Sequence, residues 1–217
     1  MSRSITGNTK GLAKSDLRRL DKLFSRKVNR EEIVSLDLAR EVYQLGSDLR
    51  RKLGVLVSRE GQVEEVMVGT KELLYLPDLG RYRLGPARLR RLRLVFSDLS
   101  KRSEPFIPTD IYTDLEKLRL DMVIAVKVLP PNYRVQVAYA HIVPSLISDQ
   151  PAVRTERVND LGRLELNFEE YMQGLEEELS QVAQGSAKVG KLKALLVGVY
   201  GKDGSQAQSS LDELTEL

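Results

Sequence analysis

Residues 55–68 read Val55-Leu56-Val57-Ser58-Arg59-Glu60-Gly61-Gln62-Val63-Glu64-Glu65-Val66-Met67-Val68. Val55 to Val57 is a short apolar run of the kind that fills a buried strand, Arg59-Glu60-Gly61 supplies a turn, and Val63 to Val68 returns to strand-forming residues. A β-hairpin is the expected outcome. Upstream, Leu38, Val42, Leu45 and Leu49 recur as one apolar stripe, which predicts a helix capped by Ser35 and running to about Leu53. Gly54 marks the change of period. Ser15 is the expected cap of an earlier helix reaching about Arg26, with Leu17, Leu20 and Phe24 on one face, and residues 1–13 read as an irregular arm broken by Gly7 and Gly11.

Downstream of the hairpin, Leu73 to Leu76 reads as a short strand closed by Pro77-Asp78, and Leu92 to Phe96 as another. Thr109 opens a helix through Leu120, and two strands, Met122 to Val128 and Val135 to Ala140, are joined around Pro130-Pro131-Asn132. Hairpin, strand, helix and two more strands predict a mixed α/β (α+β) layered domain with a helical lead-in. Residues 145–165 read as a connecting segment, Asn167 as the cap of a helix to about Gln184, and residues 184–193 as a polar loop. Ala194 to Tyr200 then reads as a strand and Gln206 to Leu217 as the start of a helix. A lone strand and helix cannot close a core, so residues 194–217 are expected to be the cut-short first unit of a second α/β domain. The expected organisation is 1–34 basic arm and helix, 35–144 mixed domain, 145–193 linker and acidic helix, and 194–217 truncated unit.

With 41% hydrophobic residues the chain can bury a core, which excludes wholesale disorder. No apolar run approaches the roughly 20 residues of a membrane helix, and Met1 to Lys10 lacks the apolar centre of a secretion signal. The absence of cysteine removes disulfides and thiolate chemistry and fits a cytoplasmic protein. The net charge of +3 conceals an asymmetry. Residues 1–30 carry nine Lys/Arg against Asp16 and Asp21, and residues 79–102 carry eight against Asp98, while residues 165–184 hold six glutamates and no Lys or Arg. The two basic stretches are candidate polyanion contacts. They comprise Lys10, Lys14, Arg18 and Lys22 in the first, and Arg81, Arg83, Arg88, Arg90, Arg91 and Arg93 in the second. Arg18, Lys22 and Arg26 recur every fourth residue on one helical face. The bland alternative for both stretches is a solvated surface.

Three constellations invite a chemical reading. Gly185-Ser186-Ala187-Lys188-Val189-Gly190-Lys191 has the spacing of a phosphate-binding loop, but a helix precedes it, a strand follows it, and Leu192 stands where magnesium needs Ser or Thr. A solvated loop is expected. His141 is the only histidine and cannot by itself build a triad or an ordinary zinc site. Asp98, Asp110, Asp114 and Asp121 fall in one region, yet each can equally face solvent or cap a helix. No catalytic, cofactor-binding or metal-ligating residue is assigned.

Several stretches together resemble the long-form N-terminal region of HflX-type ribosome-associated GTPases: Gly7-Asn8-Thr9-Lys10-Gly11-Leu12, Glu32-Ile33-Val34-Ser35, Leu76-Pro77-Asp78-Leu79-Gly80-Arg81, Arg88-Leu89-Arg90-Arg91-Leu92-Arg93 and Leu118-Arg119-Leu120-Asp121. Ala194-Leu195-Leu196-Val197-Gly198-Val199 with Ser210-Leu211-Asp212-Glu213-Leu214 resembles the opening of the family's own N-terminal domain. The resemblance implies association with the large ribosomal subunit and its rRNA, and ribosome splitting under stress. It also implies GTP and Mg2+ held by a downstream G domain, none of whose motifs occurs here, onto which this region could dock. Residues 37–141 are more loosely similar to the JAB/MPN metalloprotease-like fold. Phe96-Ser97-Asp98 replaces that fold's His-x-His pair, with Asp110 at the position of its later aspartate. A metal-free binding descendant is the expectation. A JAB-like hydrolase with a carboxylate-rich metal site, or an autoinhibitory interaction module, are the alternatives.

Overall fold

The computed structural model describes residues 5–79, 88–130, 133–144 and 153–188. Its secondary structure begins with β1 (Ile5–Gly7), α1 (Lys14–Lys22), a 3-10 turn at Leu23–Ser25 and α2 (Leu36–Leu49). It continues with β2 (Leu53–Ser58), β3 (Val63–Val68), β4 (Leu92–Ser97), α3 (Thr109–Leu118), β5 (Met122–Leu129) and β6 (Arg134–Ile142). It closes with β7 (Val153–Val158), a 3-10 turn at Leu161–Arg163 and α4 (Phe168–Lys188). The strands form one mixed sheet in the order β1-β3-β2-β4-β5-β6-β7. β1 runs parallel to β3 and β4 parallel to β5, and the other pairs are antiparallel. The fold is therefore mixed α/β.

The expected hairpin is present, with Val55 opposite Val66 and Leu53 opposite Val68. Every residue of β2 is buried, as are Met122 to Lys127 of β5, the pattern of strands covered on both faces. Helix α2 packs on the central strands and α3 on β5 and β6. The α2 stripe is as expected, Leu38, Val42 and Leu45 being at most 2% exposed, and the Ser35 hydroxyl accepts from the Leu38 amide. This helix stops at Leu49 rather than Leu53, because Arg50 turns left-handed (φ 52°) and Leu53 already pairs in β2.

The structure corrects several other expectations. α1 begins after Ala13, with no cap from Ser15, and tightens into the 3-10 turn after Lys22. Leu73 to Leu76 is not a strand: Thr70 Oγ1 accepts from the amides of Glu72 and Leu73, which curls the chain back. Within the expected connecting segment 145–165 lies β7, paired with β6 along its whole length. Asn167 does cap α4, its side-chain oxygen accepting from the amides of Glu169 and Glu170, but the helix runs to Lys188, into the expected loop. A single glycine such as Gly185 costs only about 1 kcal/mol in a helix and does not stop it. β1 and β7 lie in the same sheet as the 35–144 block, so the boundaries expected at 34 and 144 are not breaks in the fold. The described residues up to Gln184 belong to one unit. Arg81, Arg83, the Pro131-Asn132 joint and the expected strand and helix of residues 194–217 lie outside the described residues.

Candidate nucleic-acid interface

Helix α1 is amphipathic. Leu20 is fully buried on its inner face and followed by buried Leu23 and Phe24, while Lys14, Arg18 and Lys22 lie on its outer side. Of Arg18, Lys22 and Arg26, expected on one helical face, only the first two lie on α1, because the helix ends at Lys22 and Arg26 follows the 3-10 turn in extended backbone. Lys10 is also exposed, its carbonyl anchored by Arg51 Nη2 at 3.0 Å. Between α1 and α2 runs a groove of about 900 Å3, lined among others by Arg19, Lys22, Arg26, Arg40, Tyr43 and Tyr133. Arg19 pairs with Asp48 and Arg26 with Glu41, each at 2.6 Å. These hydrogen bonds hold the Asp48 carboxyl below, and the Arg26 guanidinium above, their ordinary values. Lys14, Arg18, Lys22 and Arg40 have no ion-pair partner among the described residues. Tyr133, at the β5–β6 hairpin, is 67% exposed and held at φ 49°.

The arginine stretch comes apart into different roles. Arg88 and Arg91 are exposed. Arg90 hydrogen-bonds the carbonyls of Leu118 (2.9 Å) and Leu79 (2.7 Å), which ties the segment to the end of α3. Arg91 is left-handed (φ 63°), its amide donating to Asp121 and its head 3.4 Å from Glu60. Arg93 is fully buried, its guanidinium carbon 4.2 Å from the Phe168 ring centroid. This corrects its reading as a surface contact: 93 is an inner position of β4, and α4 covers it. Arg88, Arg90 and Arg91 also share a cleft with Glu176 and Glu177 of α4, so the acidic helix stands beside the basic stretch.

Sequence reasoning missed the network behind this. Arg59, in the hairpin turn, bridges buried Asp121 and Glu176. Burial pushes the Asp121 carboxyl up, and the hydrogen bond from Arg59 only partly offsets it. Burial also opposes the Glu176 charge, but the hydrogen bond from Arg59 and its neighbours outweigh it, and the carboxyl lies below the usual range. Nothing in residues so far apart in sequence announces this contact.

The residues at the expected degenerate metal position form a closed clasp. Ser97 Oγ accepts from the Leu53 amide at 2.9 Å. Asp98, 2% exposed, accepts from the Ser100 and Phe106 amides, the Ser100 hydroxyl and Lys127 Nζ at 3.2 Å. The buried ammonium of Lys127 stands against the carboxylate that a cation would need. Asp110 and Asp114 sit on α3 beside Leu73 to Pro77, with Asp114 pushed up by burial and by the charge of Asp110. Among the described residues no group of three His, Asp or Glu side chains is placed to hold a metal. His141 is buried and doubly bonded, Nδ1 to the Ile142 carbonyl (2.9 Å) and Nε2 to the Tyr171 hydroxyl (2.7 Å).

No family model, curated protein or solved structure matches the chain.

Proposed function

We propose that this chain is a non-catalytic, RNA-facing module of an HflX-like GTP-binding protein, contacting the large ribosomal subunit in the cytoplasm through its α1 side. GTP and Mg2+ would then belong to a G domain beyond these residues. The observation that carries the reading is the stripe of Lys14, Arg18 and Lys22 beside the α1–α2 groove, without ion-pair partners among the described residues, with Arg40 and exposed Tyr133 across it. Surface cations of this kind can release counterions from phosphates, and an exposed tyrosine offers a face on which an unpaired base can stack. The arginine stretch is the weaker candidate: Arg90 and Arg93 are used within the fold, and Glu176 and Glu177 would repel phosphates near Arg88 and Arg91.

The metal-hydrolase alternative has less in its favour, because the oxygens of Asp98 are already engaged by Lys127 and by two amides. The test is a pelleting assay with large ribosomal subunits across a salt series. Replacing Lys14, Arg18 and Lys22 together by Gln is expected to weaken binding. It should also flatten the logarithmic salt slope by about 2–3, roughly 0.7–0.9 for each phosphate no longer neutralised. Replacing Arg88, Arg90 and Arg91 should have the smaller effect on the slope. If the α1 variant binds like the parent and the arginine variant does not, the interface is on the wrong side. If neither changes, the RNA reading fails, and docking onto the G domain becomes the better account.

A further inference from the structure

Two exposed large apolar side chains, Leu73 at 43% and Tyr75 at 61%, stand in one short segment after β3. That segment is one wall of a groove of about 360 Å3, and the other wall is α3. Asp110, Asp114 and Leu118 recur every fourth residue and so share one face of the helix. All three line the groove with Leu73 to Pro77. The apolar wall is fixed at both ends. At one end Thr70 Oγ1 accepts from the Glu72 and Leu73 amides, and Leu74 is buried. At the other, the Arg90 guanidinium joins the carbonyls of Leu79 and Leu118.

The chemistry of this groove is lopsided. Leucine, tyrosine and proline side chains supply its apolar part, and its charged lining is the two aspartates alone. Neither has an ion-pair partner among the described residues. Asp110 lies in the first turn of α3, where the helix dipole favours a carboxylate. Asp114 has no such support: it is half-buried, one turn from a like charge. Burial and the charge of Asp110 push its carboxyl up, with Lys117 opposing. We propose that this groove docks a basic segment of a partner protein, one in which Lys or Arg adjoins large apolar side chains. The cation meets Asp110 and Asp114, and the apolar side chains cover Leu73, Tyr75 and Leu118. The volume is near the lower end for ligand sites, which suits the side chains of a short segment. The two carboxylates repel phosphate, so the occupant is protein and not RNA.

Fluorescence anisotropy of the full chain with a labelled short peptide of alternating leucine and arginine tests the proposal. The controls are the same peptide with serine for leucine and with glutamate for arginine. Saturable binding of the leucine–arginine peptide, at least about fivefold tighter than either control, is the expected result. Asp110→Asn with Asp114→Asn should weaken that binding at least about fivefold and flatten its salt dependence. The melting temperature of this variant should equal or exceed the parent's, since a like-charge pair is removed. Tyr75→Ser, at an exposed position, should weaken binding with the salt dependence unchanged. Absence of binding, equal binding of the serine control, or undiminished binding in both variants would overturn the proposal. Two rival occupants would overturn it as well. Self-association of the chain that Asp114→Asn abolishes would assign the groove to a second copy. A gain in peptide affinity on Arg81→Gln with Arg83→Gln would assign it to the chain's own residues.

Discussion

Lys127 and Asp98 form a buried ion pair, Nζ to carboxylate at 3.2 Å, between β5 and the loop after β4. Lys127 sits in Met122-Val123-Ile124-Ala125-Val126-Lys127, a run that reads simply as a strand reaching its polar end. It is instead 2% exposed, because Asp98 and Ser100 of the loop after β4 meet its ammonium. Register makes the meeting possible: Ser97 of β4 pairs with Val126 of β5, and the Asp98 amide donates to the Val126 carbonyl at 2.8 Å. Removing one member leaves the other charged, buried and unpaired. Lys127→Met is therefore expected to cost about 3–5 kcal/mol in urea unfolding, whereas Lys127→Met with Asp98→Asn, which removes the buried charge but keeps an acceptor for the loop amides, should recover part of that loss. A single variant within about 1 kcal/mol of the parent, close to the scatter of ordinary surface changes, would show that water or rearrangement already screens the pair. The arginines carry the same lesson. Residues 88–93 were legible as basic, but their sorting into an exposed Arg88, a carbonyl-bound Arg90 and a buried Arg93 depends on α3 and α4, which no local pattern specifies.

Among the elements, those with a strong period were readable and those made by pairing alone were not. The α2 stripe and the β2–β3 hairpin follow from spacing. β7 escaped because Val153-Arg154-Thr155-Glu156-Arg157-Val158 has apolar side chains only at its ends, the charged composition that protects a sheet edge. α4 was legible as a helix, its buried Phe168, Met172, Leu175 and Leu179 forming one stripe, but its docking was not. One docking contact titrates. His141 of β6 receives the Tyr171 hydroxyl of α4 at Nε2, while Nδ1 faces the Ile142 carbonyl, an arrangement suited to the neutral ring. Burial lowers its pKa, with Arg154 pressing the same way and the Ile142 carbonyl, Glu156 and Glu178 opposing. The unfolded chain therefore takes up a proton below about pH 6.5 that the folded chain resists. Stability present above that pH should be lost as pH falls through the lowered value, by at most about 1.4 kcal/mol per pH unit. His141→Gln should lack this component in the window that opens below about pH 6.5. Parallel stability curves for parent and variant across that window would refute the assignment.

At the scale of the whole sheet, the two edges are protected in different ways, and one protection is removable. β7 guards its edge with Arg154, Glu156 and Arg157. The other edge is β1, three residues long and parallel to β3, pinned where the Asn8 amide donates to the Val68 carbonyl at 2.6 Å and where Arg51 holds the carbonyls of Asn8 and Lys10. Beneath it β3 ends in Val66-Met67-Val68, all buried and rich in strand-forming side chains. Removing residues 1–9 should leave the Val66 to Val68 backbone unpaired on an apolar segment, the condition under which sheets join edge to edge. The truncated chain is expected to stay folded, since the core of α2 and β2 to β6 does not include β1, yet to self-associate as its concentration rises. Sedimentation velocity over a concentration series measures this directly. Adding residues 1–9 back as a separate peptide should restore the monomer if edge pairing is the cause, because it re-pairs the Val66 to Val68 edge. A truncated chain that remains monomeric throughout, with an unchanged melting temperature, would mean that β1 is only an ornament on β3 and that the edge is closed by something other than its own first strand.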